Sequence, residues 1–344
     1  MKNLNIKDIA KLAGVGVSTV SRVINQHTDV KEETRKHVLE VIEAYNFIPN
    51  NSARNLKRTE SMDVGILIKG MYNPFFARMI QNIEKRLSYA GYSAIIHYNI
   101  DDTKDIDAAY EFIMEKKLKG IICLGGDFDQ LTNSEIERLR VPFILTSTEF
   151  PESLDKTLFS SVNIDNEKAA FKAVDYLFSI GHRKIGLITT GEDDKSVGTI
   201  RTEGYIKALA ANQFEKMENY FEIGAYTFET GYLAMKRLLN KANDLTAVFA
   251  ISDVMAIGAA KAIHEHGLRI PDDISLIGFD DIDYAAYFSP ALTTVHQPVD
   301  EIADNTADLM ISILDEGMPH KHLVFDTALV IRQSTTKGER NEKL

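Results

Sequence analysis

Along the first fifty residues, apolar positions recur at helical spacing in three short runs. Ile6, Ile9, Ala10 and Ala13 share one face of a helix that Asn5 can cap, with Asp8 near its positive end and Gly14 as a left-handed stop. Val17, Val20 and Ile24 begin a second stripe three residues later. A third helix, about Glu32 to Tyr45, turns Val38, Val41, Ile42 and Tyr45 inward. Two short helices around a glycine-containing turn, braced by a third, make a helix-turn-helix. With the second stripe buried, Ser18 and Arg22 share the opposite face, and Thr19 and Ser21 lie at its edges. A solvated helical hairpin would need no such face. A DNA major groove does, because arginine bonds guanine bidentately and hydroxyls reach bases or phosphates.

Residues 46–61 (NFIPNNSARNLKRTES) interrupt the pattern. Pro49 breaks the third helix, and Asn50 or Asn51 can cap a short one running to about Lys57, too short to be stable alone in water. From Asp63 apolar strands alternate with amphipathic helices: DVGILIKG, helix 76–90, YSAIIHYN, helix 103–117, GIICLGG, helix 134–140 and PFILTS. After VNIDN the rhythm restarts with helix 166–180, KIGLITT, helix 201–211, YFEIG, helix 230–240, AVFAIS, helix 254–267 and ISLIGFDD. LVFDTALVIRQS reads as the last strand. Repeated βα units predict parallel sheets covered on both faces. Two successive sets predict an α/β fold of two similar doubly wound subdomains, with ligands taken at the carboxyl ends of the strands in the cleft between them.

Composition sharpens this picture. A chain of 344 residues fits two or three domains, and 44% hydrophobic residues supply a large core. No apolar run approaches the roughly 18 residues of a membrane span, and MKNLNIKDIAK lacks the apolar stretch of a signal peptide, so a cytoplasmic location is expected. The single cysteine, Cys123, lies in an apolar run and reads as a core residue. Residues 1–60 hold ten Lys and Arg against seven Asp and Glu, a net of +3 within a chain of −11, leaving −14 for the rest. A basic head on an acidic body implies that only the head meets an anionic partner. Enzyme chemistry finds no support, because no Ser, His and acid grouping, P-loop or metal-spaced cluster is evident. GVGVS (14–18) lacks the preceding strand of a phosphate loop. EDDK (192–195) and the pair His264 and His266 read as solvated surface, so no cofactor or metal is expected.

Several segments stand in order, and at matching spacing, across nearly the whole chain. They are NIKDIAKLAGVGVSTVSRVIN, EETR, FIPNNSARNL, NPFF, GHRKIGLIT, RTEGY, SDVMAIGA, IPDDISLIGFDD and LTTVHQP. Together they resemble the lactose-repressor (LacI/GalR) family of bacterial transcription regulators. The resemblance implies a helix-turn-helix domain over 1–49, a hinge helix and linker over 50–61, and an effector-binding and dimerisation domain over 62–344. The last would have a periplasmic-binding-protein type of fold, with an N-subdomain of about 62–162 and 296–323 and a C-subdomain of about 163–292 and 324–340. It further implies a homodimer on a pseudo-palindromic operator, with repression as the expected sign of control. Carried onto this sequence, Val17, Ser18 and Arg22 face bases, Thr19, Ser21 and Asn25 approach phosphates, and Leu56, beside Ala53 and Arg54, wedges into the minor groove. Gly16 and Lys31 stand where the family usually has serine caps, and neither change removes a base-reading group.

The family's ligand contacts map to Asn73, Phe75, Phe76, Arg201, Tyr226, Asp280 and Gln297, with Ser147 and Ser252 at two further positions. This set implies a sugar or sugar derivative: Asp280 accepts hydroxyl protons, Arg201 donates to oxygens, and Phe76 and Tyr226 stack on a pyranose. Many sugar-binding relatives carry an acid or amide where Ser147 and Ser252 stand, which leaves a phosphorylated sugar, a disaccharide or a nucleobase open. A dimer rather than a tetramer is expected, because STTKGERNEKL carries no leucine heptad.

Overall fold

A computed structural model describes residues 4–24, 30–45, 47, 62–69, 73–100, 103–191 and 196–338. The chain forms two compact units, residues 1–61 and 62–344. The first contains α1 (Ile6–Leu12), α2 (Val17–Ile24) and α3 (Glu32–Ala44). The Asn5 side chain accepts from the amides of Lys7 and Asp8 at 2.9 and 3.2 Å, while Asp8 accepts from the Asn5 amide at 2.9 Å. This reciprocal capping box satisfies amides that a helix start leaves unpaired. Gly14 ends the first turn at φ +63°, as its position predicts.

The core of this unit is Ile9, Ala10, Ala13, Val20, Val23 and Val38. Two inward positions are corrected. Val17 is 40% exposed, and Val23 takes its place beside Val20. Val17 is the first helical residue, and side chains lean toward a helix's N-terminus, so its methyls project past the core. Tyr45 is 51% exposed because α3 ends at Ala44 and leaves it as the C-cap.

The second unit carries two six-stranded sheets. The first has the order β11-β5-β4-β3-β1-β2, from β1 (Asp63–Lys69), β2 (Ser93–Asn99), β3 (Gly120–Leu124), β4 (Phe143–Thr146), β5 (Ser160–Ile164) and β11 (His322–Phe325). The second has the order β12-β10-β9-β8-β6-β7, from β6 (Ile185–Thr189), β7 (Phe221–Ile223), β8 (Ala247–Ala250), β9 (Ser275–Asp280), β10 (Thr293–His296) and β12 (Ala328–Val330). All pairings are parallel except β10 with β12. Central strands β3, β4, β6, β8 and β9 are buried throughout, since helices cover both faces.

Helices α4 (Pro74–Tyr89), α5 (Asp105–Lys116), α6 (Asn133–Leu139) and α12 (Val299–Glu316) pack in the first subdomain. Helices α7 (Asn166–Ser179), α8 (Val197–Ala211), α9 (Phe228–Lys241) and α10 (Asp253–Glu265) pack in the second, with the short α11 (Asp283–Tyr287) after β9. Where α9 meets α10 the backbones touch. A Cβ on Gly258 would collide with the Phe228 carbonyl, and one on Gly231 with Met255. In the first subdomain α4 is laced to α12 by Arg78 to Asp300 (2.8 and 2.6 Å) and Arg86 to Asp308 (both 2.6 Å), and just beyond α4 the Tyr92 hydroxyl donates to Asp315 (2.6 Å).

The stretch LVFDTALVIRQS is not one strand. It is β11 in the first sheet and β12 in the second, joined by 326–327. The chain also crosses between subdomains at Asp165 and at 297–298. The expected hinge helix over 50–57 and the EDDK loop lie outside the described residues.

Candidate DNA-reading helix and effector cleft

On α2, Val17, Ser18 and Arg22 are exposed, and Thr19 and Ser21 are half-buried at the margins of that face. The buried Val20 and Val23 fix the rotation of the helix, so sequence spacing alone presents these groups together. Asn25, Ala53, Arg54 and Leu56 lie outside the described residues.

In the second unit the chemistry gathers where β9 ends. Asp280 and Asp281 adopt φ values of +119° and +56°, costly for non-glycine residues, and the resulting turn gives the two carboxylates different partners. Asp281 accepts from Arg332 at 2.6 Å and pairs with His296 Nδ1 at 2.9 Å. Asp280 Oδ1 accepts from Gln297 Nε2 at 2.7 Å and from Arg201 Nη1 at 3.4 Å. Arg201, on α8, is only 4% exposed. Its Nη1 also donates to the Ile251 carbonyl at 2.7 Å, its Nε donates to Asn166 Oδ1 at 3.0 Å, and its guanidinium lies 3.7 Å above the Phe279 ring. Burial pushes the Asp280 carboxyl up to about 6, against the opposing pull of Arg201 and Gln297. Beneath it Asp253 accepts from Thr294 Oγ1 at 2.6 Å and from the Ile282 amide at 2.9 Å. Burial, reinforced by the charge of Asp280, holds the Asp253 carboxyl well above its ordinary range.

A cavity of about 1050 Å³ borders this turn, with Asn73, Phe75, Phe76, Tyr98, Asp280 and Tyr284 among its walls. Asn73 is also the cap of α4, accepting from the Phe75 amide at 3.0 Å. Phe75 is mainly a core residue, its ring 5.5 Å from that of Phe76. Tyr226 pairs with Ser196 Oγ at 3.4 Å. Ser147, at φ +54° after β4, carries a buried Oγ without a hydrogen-bond partner among the described residues, and so does Thr190 after β6. Ser252 is fully buried and caps α10, accepting from the Met255 amide at 3.4 Å, so its hydroxyl serves the helix end. Arg201, Asp280 and Gln297 thus converge, and four of the nine candidates border one cavity. Ser147, Tyr226 and Ser252 belong to neither group, and Ser252 serves as a cap.

Sequence reading missed Asn166, Glu149, Thr190 and Asp253. Asn166 and Asp253 open helices, where an amide or acid reads as a cap, so only tertiary contacts reveal their other partners.

Comparison with known proteins bears on the whole chain. The family described as "Bacterial regulatory proteins, lacI family" matches residues 5–50, and a "Periplasmic binding protein-like domain" matches 174–335. The HTH-type transcriptional regulator MalR of Clostridium butyricum is 43% identical over 334 residues, covering 96% of this chain and 99% of the relative. The chain belongs to the lacI family. Other lacI-family likenesses agree: the Ribose operon repressor of Haemophilus influenzae is 34% identical over 331 residues, covering 96% of this chain and 98% of that one. A solved transcriptional regulator CelR–cellobiose complex is 28% identical at a TM-score of 0.71, covering 96% and 99% of the two chains. As a lacI-family member the protein is a DNA-binding transcriptional regulator and not an enzyme. No helix among the described residues is long and apolar enough to cross a membrane.

Proposed function

We propose that the protein is a cytoplasmic, homodimeric repressor whose operator affinity is set by a sugar bound between the two subdomains. The observation that carries this reading is the buried pair of Arg201 and Asp280, oriented by Gln297 and Asn166 beside an aromatic-lined cavity. A carboxylate that accepts hydroxyl protons, a guanidinium that donates and a ring that stacks together match a polyol. The sugar-responsive names and the bound cellobiose of the relatives support the same class. In this reading Val17, Ser18 and Arg22 read bases of a pseudo-palindromic operator, with Thr19, Ser21 and Asn25 on its phosphates. Residues 50–61 form the hinge, where Ala53, Arg54 and Leu56 meet the minor groove. Ser147 and Tyr226 complete the effector's hydroxyl and stacking contacts.

The test titrates operator binding by the full chain against ribose, maltose, cellobiose, their phosphates and purines. One of the neutral sugars should shift operator affinity, and Asp280→Ala should abolish that shift while leaving operator affinity without effector within about twofold. A response confined to purines, or one unchanged in the Asp280 variant, would overturn the assignment.

A further inference from the structure

Glu149 stands three residues beyond the end of β4, on the first subdomain, yet its carboxylate reaches the second. Its Oε1 accepts from Asn166 Nδ2 at 3.2 Å, and Asn166 Oδ1 accepts from Arg201 Nε at 3.0 Å. Arg201 has no acceptor, so it forces the amide oxygen of Asn166 toward itself and leaves the NH₂ to be satisfied by Glu149. The row therefore runs Glu149, Asn166, Arg201, Asp280, Gln297, with the guanidinium between two carboxylates. Arg201 is the one cation in this row, and three of its contacts are already taken by Asn166, Ile251 and Asp280. With both carboxylates ionised the row sums to one negative charge. Burial raises the Glu149 carboxyl above its ordinary value while the Arg201 charge pulls it back down, so the two groups feel each other across the amide.

We propose that Glu149 is a specificity-determining residue: with Asp280 already opposing Arg201, its charge leaves the row net negative and so makes the cleft select neutral sugars over their phosphate esters or sugar acids. The inference rests on the reading of Arg201 and Asp280 as the effector pair. A phosphate brought beside the row meets a guanidinium already shared and a second carboxylate behind it. A hydroxyl meets the same groups at no electrostatic cost. Glu149 acts through Asn166 and Arg201, and a purely structural role would be to hold the Asn166 amide. Glu149→Gln separates the two roles, because a glutamine oxygen still accepts from Asn166 Nδ2 while the charge is gone.

The experiment is calorimetric titration of the full chain, wild type and Glu149→Gln, with ribose and ribose 5-phosphate, maltose and maltose 6′-phosphate, and cellobiose and cellobiose 6′-phosphate. Thermal unfolding establishes that the variant folds. The wild type is expected to bind the neutral member of one pair at least about tenfold tighter than its phosphate. Glu149→Gln should keep the neutral affinity within about threefold and close the gap by about tenfold. Glu149→Ala, which frees the amide, should weaken the neutral sugar as well. An unchanged gap in Glu149→Gln, or a wild type that prefers the phosphate, overturns the proposal. If no pair binds, or Asp280→Ala binds as the wild type does, the reading of the cleft itself falls and takes this inference with it.

Discussion

At the residue scale the carboxyl of Asp280 sets a pH dependence whose sign follows from its burial. Its ordinary value of 3.8 rises to about 6 in the folded chain. Folding thus favours the protonated form, and the group's contribution to stability is complete below 3.8 and lost as pH climbs through about 6. Effector binding runs the other way, because sugar hydroxyls donate to the ionised carboxylate. The affinity should be level above about 6 and fall by up to tenfold per pH unit below it. Calorimetry from about pH 5 to about pH 8 checks this, with Asp280→Asn expected to lose the dependence. The same scale marks where sequence stops informing. Asp280 and Arg201 were legible because a resemblance carried them. Glu149 and Asn166 were not, since a glutamate in a loop and an asparagine at a helix start look like solvent-facing residues until the fold sets Asn166 between Glu149 and Arg201.

At the scale of elements, helices and strands with a one-sided or continuous apolar pattern were readable to within a few residues, with α8 starting at Val197, four residues before the expected 201. The α2 stripe was misassigned at its first position, where Val17 points beyond the core and Val23 into it. That error bears on function, since an exposed Val17 joins Ser18 and Arg22 on the face proposed to meet bases. If Arg22 reads a base, Arg22→Ala should cost about 1–3 kcal/mol on the specific site and relax preference at one position. Anisotropy on operator and random duplexes distinguishes this from a phosphate contact, which would weaken both equally. The division of LVFDTALVIRQS between two sheets was not legible, because apolar pattern reports burial and not which strand accepts the hydrogen bonds. Helix α12 went unread although Val299, Ile302, Ala303, Thr306 and Met310 carry the helical spacing. Its many acidic residues, three of them tied to Arg78, Arg86 and Tyr92, obscured that stripe.

At the scale of the whole molecule, the effector controls operator affinity only as far as it binds two arrangements of the subdomains unequally. A coupling of about 1–3 kcal/mol gives a change of roughly 5- to 150-fold. Anisotropy on an operator duplex, with and without saturating sugar, should fall in that range, and sedimentation should find two chains per duplex. One chain per duplex, or a response below about twofold, would contradict a dimeric allosteric repressor. The passage of the chain between subdomains at Asp165, 297–298 and 326–327 has a further consequence, for synthesis. The ribosome releases β1 to β5 first, but their covering helix α12 and edge strand β11 emerge only after β6 to β10. Arg78 waits 222 residues for Asp300. The subdomain begun first is therefore the one whose sheet stays incomplete until nearly the whole chain is made, with an apolar face and an open strand edge to be shielded meanwhile.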